Sequence, residues 1–183
     1  MESTVPETHA TPNDKWFTDG CRDALQRMVE HASKVGLPNT DEFTFRSFFM
    51  SELISKNRCS KLQTEWHKFD LLLQNTNGNY LIEFKYFLYR HTYALDGSMI
   101  RKKGGPSPKN EVEFWDCVEK LSQCDIPGID RKYLVLIYQQ TPTDMKGRTY
   151  AQSYDSISSS DKSVIAIKTI KTPPLRCKIL RIR

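Results

Sequence analysis

Residues 67–87, HKFDLLLQNTNGNYLIEFKYF, limit the fold more than any other part of this chain. Asn77-Gly78 is a strong two-residue hairpin signal, because a type I′ turn needs positive φ at both central positions. Strand side chains alternate with period two, so Phe69, Leu71 and Leu73 on one strand and Tyr80, Ile82, Phe84 and Tyr86 on its partner share an apolar face. The opposite face carries Asp70, Glu83 and Lys85. Two registers are open. A two-residue turn sets Leu72 opposite Glu83 and Asp70 opposite Lys85. A four-residue loop over Asn75–Gly78 sets Asp70 opposite Glu83. Either keeps the three charges on one face, whereas a three-residue loop without a bulge would not.

Two carboxylates at strand-neighbour distance repel and favour protonation unless a cation stands between them. A hard divalent ion takes one or two carboxylates and leaves positions for water and phosphate oxygens. Lys85, two residues from Glu83, reaches the same place, where it can orient or deprotonate a water and stabilise charge on a phosphorane-like transition state. The competing reading is an ordinary cross-strand ion pair contributing about 0.2–1 kcal/mol.

Around the hairpin, helical spacing predicts a helix from Asp14 to Val35, stopped by Gly36 and Pro38, and another from Thr44 to Lys56 capped by Thr40 or Thr44. Glu52 falls on the apolar stripe of the second helix, an uncomfortable position for a carboxylate without a partner. Strands are expected over 60–66, 68–74 and 79–86, a loop over 97–108, and a helix from Lys109 to Cys124. The continuous apolar run KYLVLIYQQ from Lys132 reads as a central parallel strand, so strand, helix and strand form a crossover unit. VIAIKTI and LRCKILRIR read as two late strands after a serine-rich loop. The expected architecture is α/β or α+β, a mixed sheet flanked by helices with extra C-terminal strands. Residues 1–13 are expected to be a disordered lead-in, 14–142 the core domain, and 143–183 an extension on the same domain.

Bulk properties narrow the function classes. Five scattered cysteines and four histidines, none in CxxC or zinc-finger spacing, argue against a disulfide framework or a structural zinc site. No apolar run approaches bilayer length and no signal-peptide plan is seen, so a cytoplasmic protein without membrane contact is expected. The net charge of +5 is mild. Its clustering at Arg101, Lys102 and Lys103, with Lys109 nearby, suits a polyanion backbone.

The Asp70 and Glu83-Phe84-Lys85 pattern resembles the PD-(D/E)XK nuclease superfamily, the restriction-endonuclease-like fold, over about Thr44 to Gln140. Phe69 stands where that motif has proline. The resemblance implies Mg²⁺- or Mn²⁺-dependent cleavage of nucleic acid, DNA favoured over RNA. Asp70, Glu83 and the Phe84 carbonyl would hold the metal, Lys85 would act on the water, and Glu52 would be the additional acid from the preceding helix. Gln139 or Gln140 would line the site, and a homodimer is compatible with this fold. The alternatives are a catalytically silent module that binds nucleic acid and a protein-interaction domain whose hairpin charges merely pair.

Overall fold

A computed structural model describes residues 14–88, 90–103, 108–139, Tyr154 and 163–183. The expected lead-in, Gln140 and most of the serine-rich segment lie outside the described residues. Helix α1 (Lys15–Val35) buries Phe17, Cys21, Ala24, Leu25, Met28 and Ala32, which recur at helical spacing. It ends at Gly36, whose φ of +86° suits glycine and whose N–H donates to the Ala32 carbonyl. A 3-10 turn, Leu37–Asn39, leads to α2 (Glu42–Ser55). The cap of α2 is Asp41, which forms a capping box with Thr44. Starting there, α2 begins two residues earlier than the expected Thr44. Gly20 lets the two helices approach closely: a Cβ there would lie 3.1 Å from Leu53 Cδ2.

The strands are β1 (Lys61–Trp66), β2 (Phe69–Asn75), β3 (Gly78–Phe87), β4 (Arg90–Tyr93), β5 (Met99–Lys103), β6 (Arg131–Gln139), β7 (Val164–Thr172) and β8 (Leu175–Ile182); α3 (Pro108–Ser122) precedes β6. Six of them form a mixed sheet in the order β1-β2-β3-β6-β8-β7, and β4 pairs with β5 separately. Only β3 and β6 run parallel in the larger sheet; its other neighbours are antiparallel. The chain is thus a mixed α/β structure in which β6, the continuous apolar run, is central. Its alternate residues serve both faces. Tyr133, Val135 and Ile137 join Phe17, Phe45 and Phe49 from α1 and α2, whereas Leu134, Leu136 and Tyr138 join Phe114, Val118 and Leu121 from α3.

Three local expectations change. The hairpin follows the second register, Gln74 opposite Asn79 and Leu71 opposite Ile82, but Gly78 pairs with Asn75 instead of occupying the turn. Thr76 and Asn77 make the turn, with the Asn75 side chain accepting the Asn77 N–H at 2.7 Å. Gly78 is required for another reason: its φ is +129°, and a Cβ would meet Asp130 Oδ2 at 2.5 Å. Phe69 leaves the Leu71 and Leu73 face and packs with the α3 cluster. Glu65, His67 and Lys68 all have positive φ, so the chain turns sharply before Phe69 and alternation fails there. Finally, the expected loop over 97–108 contains β5, which pairs with β4 through Arg90 and Lys103.

Candidate active site

The geometry of β2 and β3 positions the first two carboxylates. Continuing the ladder one step past Leu71 and Ile82 brings Asp70 beside Glu83. Asp70 Oδ2 accepts the Phe84 N–H at 2.7 Å, so the strand that carries Glu83 and Lys85 also anchors Asp70. In a strand the carbonyl and N–H of one residue face the same neighbour, so the Phe84 carbonyl faces this edge as well. Glu83 is almost wholly buried. Burial, reinforced by the Asp70 carboxylate, pushes its carboxyl up to about 8, against the pull of Lys120.

A third carboxylate comes from the start of α2. Glu42 is half-buried, and burial followed by the charge of Asp70 pushes it up to about 7, opposed by Lys85 and Arg46. The position is natural for an acid, since the first turn of a helix offers partly positive N–H groups. Arg46, one turn on, is itself buried. It donates to Glu65 Oε1 at 2.7 Å and to the Asp70 carbonyl at 3.3 Å, and its Nη1 lies 3.5 Å from Asp70 Oδ1.

Lys85 completes the constellation. Burial alone would lower its pKa, but Cys117, Glu42, Glu83 and Asp70 together outweigh it and raise the ammonium. Helix α3 closes the far side with Cys117 and Lys120, one turn apart. Burial pushes the Cys117 thiol up although Lys85 pulls the other way. Lys120 Nζ bonds both Glu83 Oε1 and the Lys68 carbonyl, and lies 4.5 Å from the Phe69 ring centre. Lys120 also lines an open cleft of about 490 Å³ with Asp116, Glu119 and Gln123.

Sequence reasoning thus named Asp70, Glu83 and Lys85; the structure sets Asp70 beside Glu83 and leaves Lys85 within the field of both. It does not bring Glu52 to them. That residue lies ten positions along α2 from Glu42, about 15 Å along the axis. Its carboxylate faces Arg27 and Lys56, each at 3.0 Å, which hold it below the ordinary carboxylate range. Glu42, Arg46, Cys117 and Lys120 were missed. Apolar periodicity reports the buried face of a helix but not which end meets the sheet edge. The readable signal was DEFTFR, an acid in the first turn with a cation four residues on, on the stripe of Phe45 and Phe49.

Arg101, Lys102 and Lys103 lie on β5. Lys109 is exposed on α3, 3.8 Å from Glu113. Gln139 is the half-buried last residue of β6, opposite Leu175.

Glu42, Asp70 and Glu83 offer only hard oxygen donors, the chemistry that suits Mg²⁺ or Mn²⁺ and not a thiophilic metal. Two of the three are driven toward protonation, by burial first and by the Asp70 charge second, and a divalent cation would offset both. Among the described residues no three His, Cys, Asp or Glu groups already converge to hold a metal. The ion pairs to Lys120 and Arg46 occupy the carboxylates instead. Among the described residues no helix is long and apolar enough to cross a membrane. No family model, curated protein or solved structure matches this chain.

Proposed function

We propose that this chain is a metal-dependent nuclease of restriction-endonuclease-like architecture, hydrolysing phosphodiester bonds of nucleic acid, DNA in preference to RNA. The observation that supports this best is Asp70, with Glu83 across the hairpin and Glu42 within reach of its charge, and the Lys85 ammonium in the field of all three. A bare salt bridge needs one acid and one base. Here Lys85, Arg46 and Lys120 stand among three acids, and burial still pushes two of those acids toward protonation, which a divalent cation would reverse.

Glu42, Asp70 and Glu83 would hold Mg²⁺ or Mn²⁺, with the Phe84 carbonyl at the same edge. Such a cation would supply positive charge for phosphoryl oxygens and lower the pKa of a nearby water. Lys85 is kept protonated by its acidic neighbours, so its role is to stabilise negative charge developing on the phosphate and to orient the attacking water. Arg46 fixes Asp70 through both its carbonyl and its carboxylate, and is a positioning residue.

A second reading, a module that binds nucleic acid without cutting it, is favoured by the Lys120 ammonium held against Glu83. Cleavage of mixed DNA and RNA substrates in Mg²⁺ or Mn²⁺ separates the two. Cutting by the wild type that both Asp70→Ala and Lys85→Ala abolish, while each remains folded, supports the nuclease. No cutting, together with no heat of metal binding by calorimetry, overturns it.

A further inference from the structure

We propose that the β4–β5 hairpin is a basic arm with an apolar tip that grips double-helical DNA, an inference that rests on the nucleic-acid reading above and names its substrate form. The register sets Arg90 opposite Lys103, His91 opposite Lys102 and Thr92 opposite Arg101. Four formal cations and a histidine therefore share one short ribbon, and none has an acid across the ladder. Like charges directly opposite one another are destabilising, and a lone two-stranded ribbon is marginal in water. A polyanion lying along the ribbon removes the first weakness and braces the second. The hairpin's own acid, Asp96, does not serve: it lies in the turn, accepting the Ser98 N–H at 2.8 Å and the Ser98 hydroxyl at 2.6 Å.

Toward the turn the character changes. Leu95 is fully exposed, and Met99 and Ile100 are more than half exposed, as is Tyr93. Single exposed aliphatics are ordinary, but this is a run of large apolar groups at one end of a basic ribbon. With three aliphatic side chains to one tyrosine, its chemistry favours one of two nucleic-acid forms. Single strands are held by flat aromatic platforms. Aliphatic wedges between basic groups are what proteins press between the base steps of a duplex groove, and a two-stranded ribbon is narrow enough to enter one.

Placement agrees. The arm follows β3 directly, with Arg90 five residues after Lys85, at most about 17 Å along an extended chain. Its first strand touches the Leu37–Asn39 turn that leads into Glu42. The ribbon therefore leaves the molecule at the end of the sheet where the carboxylates stand.

The test uses the full chain in EDTA, so that binding is read without cleavage. The probe is a fluorescein-labelled duplex of roughly three helical turns, beside one of its single strands. Anisotropy titrations compare the wild type with the pair Arg101→Ala, Lys103→Ala and the pair Leu95→Ser, Ile100→Ser; circular dichroism and urea midpoints confirm folding. The charge pair is expected to weaken duplex binding about tenfold or more and to flatten the salt dependence by roughly two phosphate contacts. The tip pair is expected to keep the salt slope but lose the duplex bend read by end-to-end energy transfer. Wild-type binding by both pairs overturns the arm, as does a single strand bound more tightly than the duplex. A tip pair that alters only self-association in sedimentation also overturns it, making the tip an interface between copies. A wild type that never cuts while the variants still lose duplex binding leaves the arm standing and removes the nuclease. A wild type that cuts, with variants that bind and cut duplex equally well, does the reverse.

Discussion

Glu42 and Glu52 sit on the same helix, and one substitution at each separates site from scaffold. Glu42→Gln removes an acid from the group around Lys85, so metal affinity is expected to fall by about 10–100-fold or more. Glu52→Gln loses only its pairing with Arg27 and Lys56. It is expected to leave metal affinity and cleavage unchanged, with a small loss of stability. Calorimetry of both variants with Mn²⁺ decides. The hairpin acids were legible because strand alternation is geometric and Asp70, Glu83 and Lys85 are fixed by parity. The helix acid was not, because two carboxylates ten residues apart look alike until the helix end is placed against the sheet. A second residue-scale expectation concerns pH. Glu42 and Glu83 are pushed from an ordinary 4.5 up to about 7 and about 8 in the folded protein. The native state therefore binds protons more tightly than the unfolded chain. The stability this contributes is complete below 4.5 and is lost as pH climbs through 7 and 8. In EDTA the melting temperature should fall across that window, and saturating Mg²⁺ should flatten the fall by favouring the ionised carboxylates. A melting temperature in EDTA that rises from pH 5 to 8 would count against the shared buried charge.

At the scale of elements, turns and helix contacts carry the information that periodicity lacks. The β2–β3 hairpin was visible from Asn77-Gly78, but its register was set elsewhere. Asp130, just before β6, accepts the Asn79 N–H at 2.8 Å and fills the space beside Gly78. A contact fifty residues away is outside the reach of a local turn rule. Gly78→Ala places a methyl against that carboxylate at a φ of +129°, so it is expected to lower stability by about 1–3 kcal/mol in urea unfolding. Gly20→Ala gives a contrasting outcome. The added methyl would meet Leu53 at 3.1 Å, within α1, where alanine gains about 1 kcal/mol of helix propensity over glycine. Overpacking and propensity then oppose each other, and the net change should be the smaller of the two. Equal losses at the two glycines would mean that the Asp130 contact does not govern the turn.

Across the whole molecule, the order of elements was readable because each type has its own period, and the central place of β6 because it is apolar on both faces. The pairing of β8 between β6 and β7 was not readable: both late strands are short, apolar and basic, and nothing local states which one meets β6. Long-range polar contacts help to fix such choices. Asp14, at the start of α1 and buried, pairs with Arg131 on β6 and lies 3.6 Å from Arg181 on β8. One carboxylate thus ties the first helix to two adjacent strands more than a hundred residues away. Removing it leaves two half-buried guanidinium groups facing each other. Asp14→Ala is therefore expected to destabilise by about 2–4 kcal/mol, somewhat below a fully buried pair because both arginines retain some solvent. Replacing acid and base together, Asp14→Leu with Arg131→Met, exchanges the pair for apolar volume and should recover much of that loss. Urea unfolding of the two variants measures the difference. If the double replacement is no better than Asp14→Ala, the carboxylate acts through α1 itself and not through its arginines, and the late strands must be ordered by their apolar faces alone.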